Sequence, residues 1–82
     1  MVVSAQIAIY PLRQARLTPA VAAVQRALDG HGLDVQPGPM STYVVGEVDA
    51  IFAALREAFA EAASTGHVVM TITVSNACPV PD

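Results

Sequence analysis

Charged residues are scarce in this sequence. Only 13% of its 82 residues are Asp, Glu, Lys or Arg, and lysine is absent, whereas soluble domains typically carry about 25% charged residues. The four cations, Arg13, Arg16, Arg26 and Arg56, are scattered, and the net charge is −3. Recognition of nucleic acid requires clustered Lys and Arg that neutralise phosphates. The sequence therefore argues against a nucleic-acid partner.

Cysteine and long apolar runs are also lacking. Cys78 is the single cysteine, which excludes an intramolecular disulfide and suits a reducing compartment. No run of ~18 apolar residues is present, so no membrane span is expected. The N-terminal stretch has no basic segment, and Ser4 and Gln6 interrupt its apolar residues, so a secretory signal is not expected either. We therefore expect a cytoplasmic protein.

Apolar residues, in contrast, make up 54% of the chain. The length predicts a single domain over residues 1–82, and a domain of this size buries only ~60–65% of the surface of its unfolded chain. More apolar surface is therefore available than one small core can cover. We expect the protein to form a homodimer or a higher homo-oligomer.

The first strand and the first helix follow from hydrophobic periodicity. Residues 2–12 alternate with period two, which predicts a strand. Its apolar face consists of Val3, Ala5, Ile7 and Ile9. A helix is predicted with Thr18 as N-cap and Pro19 at the first helical position. The helix's apolar stripe consists of Val21, Val24 and Leu28. Gly30 or Gly32 is expected to end it as a left-handed cap.

The remaining elements complete a familiar order. Residues 33–40 predict a short strand at a sheet edge, because it contains prolines, and a third strand covers residues 40–47. A second helix is predicted from Asp49, as N-cap, to about Ser64, and a last strand from 67 to 77. The apolar positions of this helix are Ile51, Phe52, Leu55, Ala58, Phe59 and Ala62. The order β-α-β-β-α-β predicts a ferredoxin-like α+β sandwich, with a four-stranded antiparallel sheet and both helices on one face.

The open face of this predicted sheet carries no charge. The first and last strands are neighbours in the fold, and Val68, Met70, Ile72 and Val74 should face the helices. The open face then presents Ser4, Gln6, Thr71, Thr73 and Ser75. Hydroxyl and amide groups can be covered at little cost if they remain hydrogen-bonded, whereas a buried unpaired charge costs far more. A second copy of the sheet or a small polar ligand could cover this face, and simple solvation is the alternative.

The residues capable of chemistry do not form an obvious catalytic set. A nucleophilic Cys78 would need a positioned base, but His67 lies about eleven residues away, or ~35 Å along an extended chain. His31 and His67 have no spacing typical of metal ligands, so no metal site is expected. Glu47, Asp49 and Glu57 are more readily explained as helix-terminal or surface residues.

Two enzymatic or nucleic-acid alternatives share the predicted fold. Acylphosphatases place a phosphate-gripping arginine after the first strand, where this chain has Arg13 and Arg16. Their loop also needs backbone amides, yet the segment 11–19 contains two prolines and no glycine. RNA-recognition domains need aromatic platforms and basic flanks. Tyr10 and Tyr43 are the only candidate aromatics, and no lysine accompanies them.

Three stretches together resemble a known family. They are IAIYPL in the first strand, MSTYVVGEVDAIFAAL from the third strand into the second helix, and HVVMTITVSNACP at the end. The combination is similar to the YkoF-type branch of the thiamin/hydroxymethylpyrimidine-binding proteins, a ferredoxin-like family. Members carry two such domains in tandem or use one domain per chain and oligomerise, so this chain resembles the single-domain type. The segment 13–16 departs from the family pattern.

The resemblance implies a protein that binds thiamin or its hydroxymethylpyrimidine moiety in thiamin salvage or transport, with no catalysis and no cofactor. Thiamin, free hydroxymethylpyrimidine and the phosphorylated form are alternative ligands. The family motif maps onto Tyr10, Ser41, Thr42 and Cys78. Gln6, Thr71 and Asn76 join them because an aminopyrimidine calls for neutral hydroxyl and amide partners beside an apolar wall.

Two placements are left open by the alternation. Strict alternation puts Asn76 on the helix side, unless it lies past the end of the ladder. In the third strand either Ser41 with Tyr43 or Thr42 with Val44 faces the open side. The alternative functions are a ferredoxin-like regulatory or oligomerisation module without a small ligand, and a small acylphosphatase-like hydrolase.

Overall fold

A computed structural model describes residues 1–12, 18–38, 41–64 and 66–77. Six elements follow one another in the order β1 (Val2–Leu12), α1 (Thr18–Asp29), β2 (Asp34–Pro37), β3 (Thr42–Glu47), α2 (Val48–Ala63) and β4 (His67–Ser75). The strands form one antiparallel sheet in the order β2-β3-β1-β4. This arrangement confirms the predicted ferredoxin-like α+β fold and the predicted adjacency of the first and last strands.

The core lies between the sheet and the helix layer. As the alternation of β1 predicts, Val3, Ala5 and Ile7 are buried, and Ile9 packs against them. Val44 is fully buried, so the helix side of β3 carries Thr42 and Val44, whereas Ser41 and Tyr43 lie on the open side. The structure thereby decides the orientation of β3 that alternation left open.

Alanines bring the two helices together. The buried alanines of the helix layer are Ala20, Ala23, Ala27, Ala54, Ala58 and Ala62. Two pairs of side chains also connect α1 and the chain just after it with α2. Arg26 Nη2 lies 3.8 Å from Glu61 Oε2, and His31 Nε2, just after α1, lies 2.6 Å from Glu57 Oε2. These pairs mark the flank of α2 that faces α1, and Glu57 lies on that flank as an exposed surface residue.

Three helix predictions are wrong in detail. Val21 is 43% exposed rather than part of the buried stripe of α1, since alanines fill the positions beside Val24 and Leu28. Phe52 and Phe59 are exposed as well, because they lie on the flank of α2 that faces away from α1. Asp49 is not the N-cap of α2 but a residue of its first turn, and the N-cap is Glu47, whose side chain makes no capping hydrogen bond to the helix.

The starts of β1 and α2 are joined. The Val48 N–H donates to the Met1 carbonyl at 3.0 Å, and the Met1 ammonium donates to Glu47 Oε2 at 2.8 Å. This hydrogen bond and the nearby carboxylate charge raise the pKa of the Met1 ammonium above its ordinary value.

After the C-terminal end of α1, Gly32 adopts φ +68°, the left-handed conformation that a glycine takes most easily after a helix.

The helix layer does not cover β4 completely. Val68 and Met70 pack against the core as predicted. Ile72 and Val74 share their face but are 42% and 36% exposed, because they lie on an edge strand beyond the reach of α2. Neither helix of the described residues is long and apolar enough to span a membrane.

Candidate ligand-binding site

The site originates in a difference between the two ladders of β1. On the β3 side the register of β1 ends at the pair Ile7–Thr42, whereas on the β4 side it continues to Leu12–His67. Among the described residues, no strand therefore pairs with the last residues of β1 on the β3 side. Gly38 and Ser41 lie beside this gap, and the Gly38 N–H donates to the Ser41 carbonyl at 2.9 Å. Two hollows adjoin the gap.

The first hollow, which we call the inner cavity, lies between the sheet and α1 and has a volume of about 360 Å³. Most of its wall is apolar. It is lined by Ile7, Ala8, Ile9, Tyr10, Val21, Val24, Gln25, Pro37, Gly38, Ser41 and Thr42. Gln25 Nε2 donates to Thr42 Oγ1 at 3.1 Å, and this pair is partly buried. The volume lies within the ~300–1,000 Å³ range of small-molecule pockets.

The second hollow, the outer groove, lies on the open face of the sheet and has a volume of about 250 Å³. Its lining is polar, apart from one alanine and the ring of Tyr10. It is formed by Gln6, Ala8, Tyr10, Ser41, Thr71 and Thr73. Gln6 Nε2 donates to Ser41 Oγ at 3.1 Å. Since Ala8, Tyr10 and Ser41 line both hollows, the inner cavity and the outer groove are adjacent.

Neutral groups alone line both hollows among the described residues. No Asp, Glu, Lys, Arg or His belongs to either lining, and no group of three or more His, Cys, Asp or Glu among those residues could hold a metal ion. The arrangement offers hydroxyl and amide hydrogen bonds next to an apolar wall. Such a site can orient a flat, polar, uncharged group.

Five of the seven residues proposed from the sequence lie at these hollows. Tyr10 and Ser41 line both, Thr42 lines the inner cavity, and Gln6 and Thr71 line the outer groove. Asn76 is separate. The register pairs Ser75 with Ser4 and Val69 with Tyr10, which places Asn76 some ~20 Å along the strands from Tyr10. Its Nδ2 is instead 4.0 Å from Met1 Sδ. Cys78, Arg13 and Arg16 lie outside the described residues.

Gln25 is the residue that sequence reasoning missed. It lies on the flank of α1 that also carries Val21, and it reaches the inner cavity from above the sheet. A signal was present, because Gln25 is the single carboxamide in a helix otherwise composed mainly of alanine and valine. Helical periodicity assigns such a residue to the solvent side, and the gap beside β1 is what gives it a partly buried partner, Thr42.

An antiparallel sheet with two covering helices, and at one end a cavity whose described lining is neutral and largely apolar, defines a ferredoxin-like protein with a pocket of small-molecule size. Comparison with known proteins then specifies the family. The model of the thiamine-binding protein family matches residues 5–77, and the chain belongs to that family. The match confirms the resemblance seen in the sequence motifs.

Solved structures support the same fold. The hypothetical protein MJ1052 from Methanocaldococcus jannascii is 25% identical, with a TM-score of 0.84 over 92% of this chain and 79% of that one. Protein SP2199 from Streptococcus pneumoniae is 22% identical, with a TM-score of 0.84 over 92% and 86%. The putative thiamine biosynthesis/salvage protein TM0486 from Thermotoga maritima is 20% identical, with a TM-score of 0.79 over 90% and 82%. No curated protein matches the sequence.

Proposed function

We propose that this protein binds thiamin or its hydroxymethylpyrimidine moiety without catalysing a reaction, and that it supports thiamin salvage or transport in the cytoplasm. The observation that carries the proposal is the uncharged inner cavity with the Gln25–Thr42 pair in its wall. The family match to thiamine-binding proteins points in the same direction. No cofactor is required, because the proposed role ends with binding.

The chemistry of the inner cavity matches an aminopyrimidine. That ring is flat, neutral and apolar on its faces, and its edge offers an amino donor beside ring-nitrogen acceptors. The carboxamide of Gln25 and the hydroxyl of Thr42 can each donate and accept hydrogen bonds, so together they can satisfy such an edge. Ile9, Val21 and Val24 supply apolar contacts for the ring faces. We place the pyrimidine end in the inner cavity.

The outer groove suits the remainder of the ligand. Tyr10 and Ser41 stand at the boundary between the two hollows, and Tyr10 is half-exposed. A thiazolium cation next to the Tyr10 ring would gain a cation–π interaction without a buried carboxylate. The groove hydroxyls of Thr71 and Thr73 can bind the polar end of the thiazolium substituent. The two adjoining hollows would thus accommodate the two rings of thiamin.

Isothermal titration calorimetry with thiamin, and with hydroxymethylpyrimidine as competitor, tests the proposal. We expect saturable binding with about one ligand per chain and displacement by the competitor. A folded protein that gives no binding heat with either compound at millimolar concentration would exclude the binding function. The chain would then be a ferredoxin-like module without a small-molecule ligand, which is the second interpretation of the sequence.

Two isosteric substitutions distinguish the hollows. Thr42→Val removes a hydroxyl from the inner cavity and leaves Gln25 Nε2 without its acceptor, so we expect ~10-fold weaker binding of both compounds. Thr73→Val removes a hydroxyl from the outer groove, so it should weaken thiamin but not hydroxymethylpyrimidine. If Thr42→Val leaves the affinity for hydroxymethylpyrimidine unchanged, the pyrimidine does not occupy the inner cavity.

We also propose that the protein is a homo-oligomer. Large apolar side chains remain exposed on both β4 and α2, and a single copy of the described residues does not cover them. Contiguous exposed apolar surface on a small protein usually marks an interaction site.

A further inference from the structure

Two carboxamides hold the start of β3 from opposite faces of the sheet. Ser41 lies on the open side and Thr42 on the helix side, as successive residues of an extended chain do. On the open side Gln6 Nε2 donates to Ser41 Oγ at 3.1 Å. On the helix side Gln25 Nε2 donates to Thr42 Oγ1, also at 3.1 Å. Gln25 lines the inner cavity, whereas Gln6 lines the outer groove and not the inner cavity.

These side-chain bonds act where both ladders of β3 end. Thr42 pairs with Ile7 in the last register position on the β1 side. On the β2 side it pairs with Pro37, again in the last position, and proline has no N–H to donate. The main chain therefore holds this end of β3 at fewer points than its middle, so a side-chain hydrogen bond has more influence on its position.

The register places Gln6 within reach of Ser41. Gln6 of β1 and Gln36 of β2 both pair with Tyr43, so the three side chains lie on the open face. Ser41 is two residues before Tyr43 and thus diagonal to Gln6, at a distance of ~7–8 Å that a long side chain can span. Gln36 is exposed and lines neither hollow. The sheet thus contains a second glutamine on the same face to compare with Gln6.

We propose that Gln6 is a positioning residue for the inner cavity and acts on it from the opposite face of the sheet. Its hydrogen bond holds Ser41, and a planar peptide joins Ser41 to Thr42, so that restricting one residue restricts the other. Thr42 in turn carries the hydroxyl that meets Gln25 in the cavity wall. The inference rests on the proposed function, which assigns the pyrimidine end of the ligand to this cavity.

The location of Gln6 favours this indirect role over direct contact with the pyrimidine. Its side chain is exposed on the open face, whereas the inner cavity lies between the other face and α1. A pyrimidine in the inner cavity is thus separated from Gln6 by the sheet itself. Gln6 therefore raises the affinity for hydroxymethylpyrimidine by holding Thr42 in place.

Calorimetric titration with hydroxymethylpyrimidine tests this role, because that compound lacks the part of thiamin assigned to the outer groove. Gln6→Met keeps the length of the side chain and removes the hydrogen-bond donor. We expect ~3-fold weaker binding, the effect of losing one exposed, neutral hydrogen bond. Gln36→Met is the matched control and should bind like the wild type. The thermal midpoint of each variant should stay within ~3 °C of the wild type, since both side chains are exposed.

Two further variants separate positioning from a general structural effect. Gln6→Glu replaces the donor by an acceptor for the Ser41 hydroxyl, so the contact persists with its direction reversed. Its affinity for hydroxymethylpyrimidine should return to that of the wild type. In a Ser41→Ala background, Gln6→Met should cause no additional loss, because the residue through which Gln6 acts is already truncated.

An unchanged affinity in Gln6→Met overturns the positioning role, and so do equal losses in Gln6→Met and Gln36→Met. An additive loss in the Ser41→Ala background overturns it as well. If the wild type binds neither hydroxymethylpyrimidine nor thiamin, the proposed function is excluded, and NMR of the ligand-free protein decides about Gln6. The Thr42 methyl resonance should then shift more in Gln6→Met than in Gln36→Met, and an unshifted resonance would show that Gln6 does not position Thr42.

Discussion

Gln25 illustrates how one side chain can connect the two layers of this small fold. Its carboxamide reaches from α1 to the hydroxyl of Thr42 on β3, and both groups line the inner cavity. In a cavity with mainly apolar walls, a hydrogen bond that is lost on binding must be replaced. Gln25 and Thr42 therefore select for a ligand with a matching polar edge and against one that is merely apolar.

Gln25→Leu tests the role of this carboxamide in ligand binding. Leucine preserves the volume but removes both the donor and the acceptor, so we expect the affinity for hydroxymethylpyrimidine to fall ~10-fold or more in calorimetric titration. Gln36→Leu is the control. Gln36 is an exposed glutamine of β2 that lines neither hollow, and its replacement should leave binding unchanged. Equal losses in both variants would contradict the assignment of Gln25 to the site.

At the scale of elements, the close contact of the helices depends on small residues. Ala58 is fully buried on α2, between the residues Glu57 and Glu61 that pair with the α1 side, and Ala27 is buried on α1. Methyl groups at both positions let the two helices approach closely over the sheet. The approach in turn holds α1 in position over the inner cavity, so a change in helix packing is expected to reach the binding site.

Ala58→Leu should therefore destabilise the protein. The added atoms have no space between the helices, and overpacking of this kind costs ~1–3 kcal/mol. For a domain of this size we expect the thermal midpoint to fall by ~4–8 °C for each kcal/mol. Ala53→Leu places the same side chain on an exposed position of α2 and should have little effect. A midpoint for Ala58→Leu within a degree of the wild type would mean that the helices are not closely packed there.

The sequence predicted the elements well because their signals are local. The alternation of apolar and polar residues identified β1 and the helix-facing residues of β4. Apolar residues spaced three or four positions apart identified both helices. The errors have a common physical origin. Phe52 and Phe59 fit a helical stripe as well as Ala54 does, and only the position of α1 decides which flank of α2 is buried. Hydrophobic periodicity indicates a face, but it does not indicate what covers that face.

At the scale of the whole molecule, the candidate site depends on strand registers. Alternation assigns each residue of a strand to a face but not to a partner. Tyr10, Ser41 and Thr42 were identified from family motifs, yet their meeting place exists because β1 extends beyond the end of its β3 ladder. Gln25 could not be assigned without that gap. Asn76 carried a suitable side chain, but the register places it at the opposite end of β4.

The unequal ladders of β1 also have a dynamic consequence. Residues 4–7 are flanked by strands on both sides, whereas β4 is the one strand that pairs with residues 8–12 in the part of the chain that the structure describes. Local opening needs less free energy where fewer neighbours must separate. Native-state hydrogen exchange followed by NMR should therefore show slow amides in the first half of β1 and faster ones in the second, even though the strand is continuous.

Ligand binding should reduce this gradient. A molecule in the inner cavity contacts Ala8, Ile9 and Tyr10, so the amides of the second half should slow on addition of thiamin while those of residues 4–7 change little. A uniform slowing along the strand would indicate global stabilisation without local contact. With the expected result, the exchange rates in the two halves of β1 report on different properties. Those of residues 4–7 report on the integrity of the sheet, and those of the second half report on the occupancy of the inner cavity.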